Sequence, residues 1–295
     1  MSGMGELHLE IIENRITTER GLQIKTGEPI VVYRETSLKK SNEMEGKSPN
    51  KHNKFYITTQ PLPPAYAQAI KDGTMPNGRI KKDSKEVYVA LEKIGVPTKE
   101  GRKIRNVFNG NVLIDSTRGI VHIGEVQELV NDGFEQVMKE GPLAKEPCTN
   151  LLVSLNDCKL HEDAIHRGPA QVMPAVREAI KAAMVDGTAI MFEPLQVLLI
   201  ECPASFMGEI SKLVANKRGQ LLEVNQEGEQ MQVRAKMPVG EMFGLASDLR
   251  SATEGRGTSY VADQLFEKIP GDLQNKIVRQ IRQRKGLNPD DLSLG

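Results

Sequence analysis

The sequence predicts an α+β protein made of two α/β-sandwich-type domains. The length of 295 residues is enough for about two domains. Runs rich in β-branched residues alternate with segments whose apolar residues recur at helical spacing. Of the residues, 39% are hydrophobic and 26% charged, which is typical of a globular chain. The fold class therefore follows from length, periodicity and composition together.

The composition also predicts the cellular compartment of the protein. No apolar run approaches the roughly 20 residues that cross a bilayer, so no membrane partner is expected. Three cysteines, Cys148, Cys158 and Cys202, show no metal-ligand pairing, and they predict free thiols in a reducing compartment. We therefore expect a cytoplasmic protein.

The charges balance over the whole chain but not along it. Lys plus Arg and Asp plus Glu number 39 each, which argues against a whole-protein electrostatic clamp on nucleic acid. Basic residues are dense over residues 79–105 and 279–285. Such runs are usually solvated faces, and phosphate-facing surfaces are the alternative.

Residues 195–266 follow the order strand, helix, strand, strand, helix, strand. Strands are predicted over residues 195–200, 221–224, 231–237 and 260–266, and helices near residues 207–214 and 243–252. This order is the split βαβ, ferredoxin-like arrangement. A final helix is predicted after Pro270, and its apolar face comprises Leu273, Ile277, Val278 and Ile281.

The region before it mixes strands and helices in a less regular order. Strands are predicted over residues 30–36, 54–60, 111–117 and 149–155, and helices over residues 61–70, 81–94, 126–138 and 173–184. Residues 1–28 carry one helical apolar pattern and one strand, at residues 21–25. One helix and one strand bury too little apolar surface for a domain, so we expect the remnant of a larger one.

A short connector, residues 160–169, holds most of the side chains that carry chemistry. It contains His161, Glu162, Asp163, His166 and Arg167 and ends in Gly-Pro. The two histidines are five residues apart, about 140° around a helix, so they do not form the i, i+4 metal pair. A histidine beside carboxylates suits general acid–base catalysis, but no nucleophile elbow or phosphate loop accompanies it. An ordinary solvated loop and a loop that contacts RNA backbone remain open.

Five short motifs occur along the chain: Gly5-Glu6-Leu7-His8-Leu9-Glu10, Tyr33-Arg34-Glu35-Thr36, Ser48 to Asn53, Asp163 to Gly168, and Glu201-Cys202-Pro203. In this order they resemble translation elongation factor two, of the elongation factor G/2 family. The chain resembles the C-terminal part of an archaeal member. The resemblance implies a remnant of domain III at residues 1–28, domain IV at 29–191, domain V at 192–266 and a C-terminal helix at 267–295 that returns to domain IV. It also implies a ribosomal-protein-S5-domain-2-like fold for domain IV.

The same resemblance implies a function and a site. In that family domain IV enters the decoding region of the small ribosomal subunit and follows the tRNA–mRNA duplex during translocation. The position matching His166 is the diphthamide site, and diphthamide-synthesis enzymes and ADP-ribosylating toxins act there. The residues expected to form the tip and contact ribosomal RNA are Pro49, Asn50, Lys51, His52, Asn53, His161, Asp163, Arg167 and Gly168.

Two departures from the family pattern bear on these expectations. The chain has Gly168-Pro169-Ala170 where eukaryotic members have three glycines, and proline should stiffen the loop. The sequence has no Gly-x-x-x-x-Gly-Lys-Ser/Thr, so we expect no GTP or magnesium site in this chain and no enzyme activity of its own. The alternatives are a free-standing ribosome- or RNA-binding protein without the GTPase motor, and an enzyme that uses His161 or His166.

Overall fold

The computed structural model describes residues 11–24, 31–81, 84–93 and 95–290. The chain divides into two compact units: residues 33–192 with 268–295, and residues 1–32 with 193–267. We call them the sheet-and-helix unit and the ferredoxin-like unit. Within the described ranges, no helix combines the length and the apolar character that crossing a membrane requires.

The sheet-and-helix unit is built on a six-stranded sheet with the order β2-β3-β7-β6-β5-β4. Only the β6–β7 pair is parallel among these pairings; the others run antiparallel. The strands are β2 (Met44–Lys47), β3 (Lys54–Pro61), β4 (Gly78–Arg79), β5 (Ile104–Phe108), β6 (Asn111–Asp115) and β7 (Leu151–Lys159). A separate strand, β1 (Arg34–Ser37), pairs with residues 189–192 of β8 (Ala189–Pro203).

Helices of this unit form two apolar clusters with the sheet. The three shorter ones are α1 (Pro64–Lys71), α2 (Lys85–Glu92) and α3 (Thr98–Gly101), and the two long ones are α4 (Ile123–Lys139) and α5 (Pro169–Asp186). Buried residues of α4 and α5, such as Phe134 and Ile180, form the larger cluster with Phe55 of β3. A second cluster joins α1 and α2 to strand residues such as Val107. The layers bury the apolar stripe that the periodicity predicts on α4 and α5.

The final helix, α8 (Gly271–Arg284), belongs to this unit. Its residues Ile277, Val278 and Ile281 pack with Ala144 and Met191. The apolar face predicted from the sequence is therefore the face that packs. A helix of this length is marginal alone, and burial of this face stabilises it.

In the ferredoxin-like unit, β8 from residue 195 pairs antiparallel with β10 (Gln230–Pro238), which pairs with β9 (Gln220–Glu227). The last strand, β11 (Thr258–Lys268), pairs with β8 on the other side. Helices α6 (Met207–Asn216) and α7 (Leu245–Ala252) pack on this sheet. The spatial order is thus fourth, first, third, second strand, which confirms the predicted split βαβ arrangement.

The structure corrects several predicted elements. Strands β2 and β5 were not predicted. Strand β2 lies in a polar segment that was interpreted as a connector, and β5 begins at the end of the basic run at residues 79–105. Residues 31–33 precede β1 without strand pairing, so the strand predicted at 30–36 is shorter. Residues 21–24 form no strand, and residues 11–19 are helical. Residues 1–10, with the Gly5-to-Glu10 motif, and residues 25–28 lie outside the described residues.

All three cysteines are free thiols, and all three are buried, which was not predicted. Burial raises the pKa of the Cys158 thiol to about 12, and it also raises the pKa values of Cys148 and Cys202. The nucleophilic thiolate form is therefore scarce near neutral pH.

Candidate functional site

Two loops meet at one end of the sheet-and-helix unit: residues 48–53, between β2 and β3, and residues 160–168, between β7 and α5. We call this pair of loops the tip. Asn53 joins them, since its Nδ2 donates to the His166 carbonyl at 2.7 Å and its Oδ1 accepts from the His161 amide at 3.0 Å. The Asn53 side chain is fully buried. One amide group therefore fixes both histidines of the second loop.

The first loop is a tight turn held by its own polar side chains. The Ser48 hydroxyl accepts from the Asn53 amide at 2.9 Å and donates to Asn50 Oδ1 at 2.6 Å. Asn50 Oδ1 also accepts from the His52 amide at 3.1 Å. Lys51 has a φ of 63°, in the left-handed region, which bulky residues rarely adopt. The turn thereby presents Lys51 and His52 to solvent.

The second loop is shaped by Asp163 and His161. Asp163 Oδ1 accepts from the Ile165 amide at 3.1 Å and caps a 3-10 turn, Ala164–Arg167. His161 Nδ1 accepts from the Asp163 amide at 3.1 Å, so a neutral His161 carries its proton on Nε2. Gly168 has a φ of −71° and open space around its Cβ position. Glycine is not required there by backbone conformation, and Pro169 starts α5 at the position where proline fits best.

Three imidazole rings cluster at the tip. The ring centroids of His161 and His166 are 4.5 Å apart, and His52 lies 4.9 Å from His161 and 5.0 Å from His166. Among the described residues, no group of three or more His, Cys, Asp or Glu is arranged to hold a metal ion. The cluster offers imidazole nitrogens and ring edges as hydrogen-bonding groups at the surface.

Arg167 lies behind the histidines and supports the loop from inside. Its Nη1 donates to the carbonyls of His161 and Glu162, and its Nη2 pairs with Glu125 near the start of α4. Glu125 also pairs with His122, and the hydrogen bonds from His122 and then Arg167 lower the pKa of the Glu125 carboxyl. The Arg167 side chain is 5% exposed, so its charge interacts within the fold.

The predicted tip residues are brought together, but not all of them face solvent. Pro49, Lys51, His52 and Asp163 are exposed, and Asn50, His161, His166 and Gly168 are half-buried.

Asn53 and Arg167 differ from the other predicted tip residues in that they point into the fold. Both side chains are buried because they satisfy backbone groups of the two loops.

Two residues that support the tip, Glu125 and Gln171, were not predicted from the sequence. Gln171 Oε1 accepts from the Asn50 amide at 3.0 Å. An acid in the first turn of α4 was the one available signal for Glu125.

Some arginines of the two basic runs form ion pairs and hydrogen bonds within the fold. Arg79 forms ion pairs with Glu128, Asp132 and Glu135 of α4. Arg105 is buried beside Asp115. In α8, Arg282 is buried and donates to the Leu143 carbonyl at 2.7 Å. These three arginines stabilise the unit rather than face phosphates.

Comparison with known proteins places this geometry in a family. The family model described as "Elongation factor G, domain IV" matches residues 73–188, and the one described as "Elongation factor G C-terminus" matches residues 190–277. The proteins named Elongation factor 2 from Pyrococcus horikoshii and Nanoarchaeum equitans are each 47% identical to this chain over 98% of the chain's length. The protein of the same name from Thermococcus onnurineus is 48% identical over the same share. The chain belongs to the elongation factor G/2 family.

Membership confirms the predicted α+β class and the resemblance drawn from the five motifs. The matched region is the C-terminal region of a translation elongation factor. The chain spans 40% of the length of these relatives. The residues that hold the tip together, Asn53 and Arg167, lie in two of the motifs that carry the resemblance.

Proposed function

We propose that this chain is the translocation arm of an elongation factor two. In this proposal the tip of the sheet-and-helix unit enters the decoding region of the small ribosomal subunit. There it follows the tRNA–mRNA duplex as the duplex moves. GTP and magnesium would be handled by a separate domain of the parent protein. Its relatives, which carry the name Elongation factor 2 over this whole region, support the proposal.

The observation that carries the proposal is the rigid presentation of His166 at the tip. Its carbonyl is held by Asn53, its loop is capped by Asp163, and Arg167 fixes the loop from inside. A contact made by a pre-organised loop loses little conformational entropy on binding. A histidine so held suits a group that must enter a narrow RNA site repeatedly.

We also propose His166 as the diphthamide site. The modification would lengthen the side chain and add a fixed positive charge, which favours contacts with RNA phosphates. The His166 ring is half-buried against His52 and His161. Diphthamide-synthesis enzymes and ADP-ribosylating toxins would approach from the open side of this cluster.

Peptide mass spectrometry tests the assignment. The protein is incubated with archaeal diphthamide-synthesis enzymes, and the peptide covering residues 160–177 is measured. We expect a mass gain on His166 that is absent from His166→Ala. The matched control is His52→Ala, which removes a neighbouring ring and leaves the acceptor in place, so it should still gain mass.

Two outcomes would contradict the proposal. A folded sample that gains no mass with active enzymes would remove the modification site. A gain that maps to His161 would keep the chemistry and move it to a different residue. Translocation by the full-length factor, measured with and without His166→Ala, then tests whether the modified tip acts on the ribosome.

A further inference from the structure

A second polar feature lies away from the tip in the same unit. A groove of about 450 Å³ runs between the last turn of α4 and the middle of α5. Four basic residues line it: Lys139, Lys145, Arg177 and Lys181. Glu140 and Glu178 are its acidic lining residues, and both are exposed. The lining therefore carries a net positive charge.

The fold holds these cations in place. Lys145 sits in a left-handed conformation, with a φ of 51°. The loop around it is tied from inside by the buried Glu35 carboxylate, which accepts from the amides of Leu143, Ala144 and Glu146 at 2.6 to 2.9 Å. From α8, Lys285 donates to the Lys145 carbonyl at 2.8 Å. The backbone that presents Lys145 is thus anchored on two sides.

The α5 cations are constrained as well. Arg177 donates to Gln136 Oε1 across the groove at 2.8 Å. Lys181 is half-buried, and burial, followed by repulsion from Arg177 and Lys145, lowers the pKa of its amine. Attraction by Glu140 and Glu35 opposes this effect but does not cancel it, so an anion that enters the groove would relieve the remaining repulsion between the cations.

The position of the groove fits a long, regularly charged ligand. Helix α4 starts at the tip, where Glu125 meets Arg167, and reaches the groove near Val137. At 1.5 Å per residue, the groove lies about 20 Å from the tip. Among the described residues that line the groove, none is an aromatic on which a base could stack, which favours contact with backbone phosphates over readout of bases.

We propose that this groove binds the phosphate backbone of RNA, as a second contact about 20 Å from the tip. The proposal deepens the function proposed above and rests on it for the identity of the ligand as RNA. The lysines act as point charges, and the site reads no sequence. A small free anion is the alternative source of the same phosphate chemistry.

Fluorescence anisotropy with a labelled RNA duplex of about 20 base pairs tests the proposal between 50 and 200 mM KCl. The groove variant combines Lys145→Asn, which suits a left-handed position, with Lys181→Gln. We expect about tenfold weaker binding at low salt. The slope of log affinity against log salt should become shallower by about 1 for each lysine removed.

The matched control removes two exposed lysines of the same unit, with Lys71→Gln on α1 and Lys99→Gln on α3. It should keep most of the affinity and slope. Lys181 is half-buried, so its replacement can also affect folding. Lys139→Gln, at an exposed position, is therefore measured separately, and it should make the salt slope shallower by about 1. Lysine acetylation followed by mass spectrometry should show that RNA protects Lys139 and Lys145.

Equal affinities and slopes for the groove variants, the control and the unchanged protein would overturn the proposal. Displacement of the RNA by inorganic phosphate at constant ionic strength would also overturn it, in favour of a small-anion site. The tip is tested independently, since His166→Ala should leave the salt slope unchanged. Loss of RNA binding in the groove variants, with no modification of His166, would keep the groove and reject the diphthamide assignment.

Discussion

Asn53→Ala is the change that best tests how the tip is built. It removes the acceptor of the His161 amide and the donor to the His166 carbonyl. Each buried polar group left without its partner costs about 1–3 kcal/mol. Because the two histidines are only half-buried, solvent can partly replace the lost partners, and we expect a local loss of about 2 kcal/mol, toward the lower end for two groups.

Hydrogen exchange measured by mass spectrometry or NMR gives the local value. A loss of about 2 kcal/mol should speed exchange of the His161 amide about thirtyfold. Asn53→Asp is the matched control, because it keeps an acceptor for His161 and loses the donor to His166. The His161 amide should stay protected in that variant. Peptides of the ferredoxin-like unit serve as an internal reference, and unchanged His161 exchange in Asn53→Ala would refute the bridging role.

Three further changes test other parts of the sheet-and-helix unit. Gly46→Ala would place a Cβ against the Ala175 carbonyl oxygen, so it should lower the free energy of unfolding by about 1–3 kcal/mol in urea titrations. Gly124→Ala, which adds a Cβ in open space, should be neutral or stabilising. Burial raises the pKa of Glu35 to about 7 from 4.5, so the folded state holds this proton more tightly than the unfolded chain. The free energy of unfolding should therefore fall as pH rises from about 4.5 to about 7, and Glu35→Gln should flatten this dependence on pH. The same pH dependence in both proteins would contradict the assignment of this proton to Glu35. Arg167→Lys keeps the positive charge but loses the planar guanidinium that donates to several acceptors at once. It should lower the free energy of unfolding in urea by about 1.5–3 kcal/mol, whereas no change would show that these hydrogen bonds are dispensable.

Much of the fold follows from periodicity alone. The ferredoxin-like order was predictable because each strand and helix there carries its own pattern and ends at a turn residue. Strand β2 was not, since its only large apolar residue is Met44 and its buried position is Gly46. Strand β5 was hidden by Arg105 and Asn106, which are buried. Arg105 pairs with Asp115 of β6, and Asn106 donates to Glu135 of α4, so both side chains have partners on other elements.

The site was predictable only in part. Motifs indicated which two loops matter, but the inward direction of Asn53 and Arg167 depends on partners distant in the sequence. Glu125 lies 42 residues from Arg167, and Asn53 lies 113 residues from His166. A polar residue in a loop is more often exposed than buried, so the burial of these two side chains could not be predicted from the sequence.

The burial of every cysteine makes the molecule a convenient background for spectroscopic probes. A thiol reagent that reacts with exposed thiolates should leave Cys148, Cys158 and Cys202 unlabelled. Ile165 is 78% exposed on the second loop of the tip, so Ile165→Cys would give one reactive handle next to His166. A fluorophore or spin label there could report, in real time and without any deletion of native cysteines, how deeply this end of the protein enters an RNA-lined site.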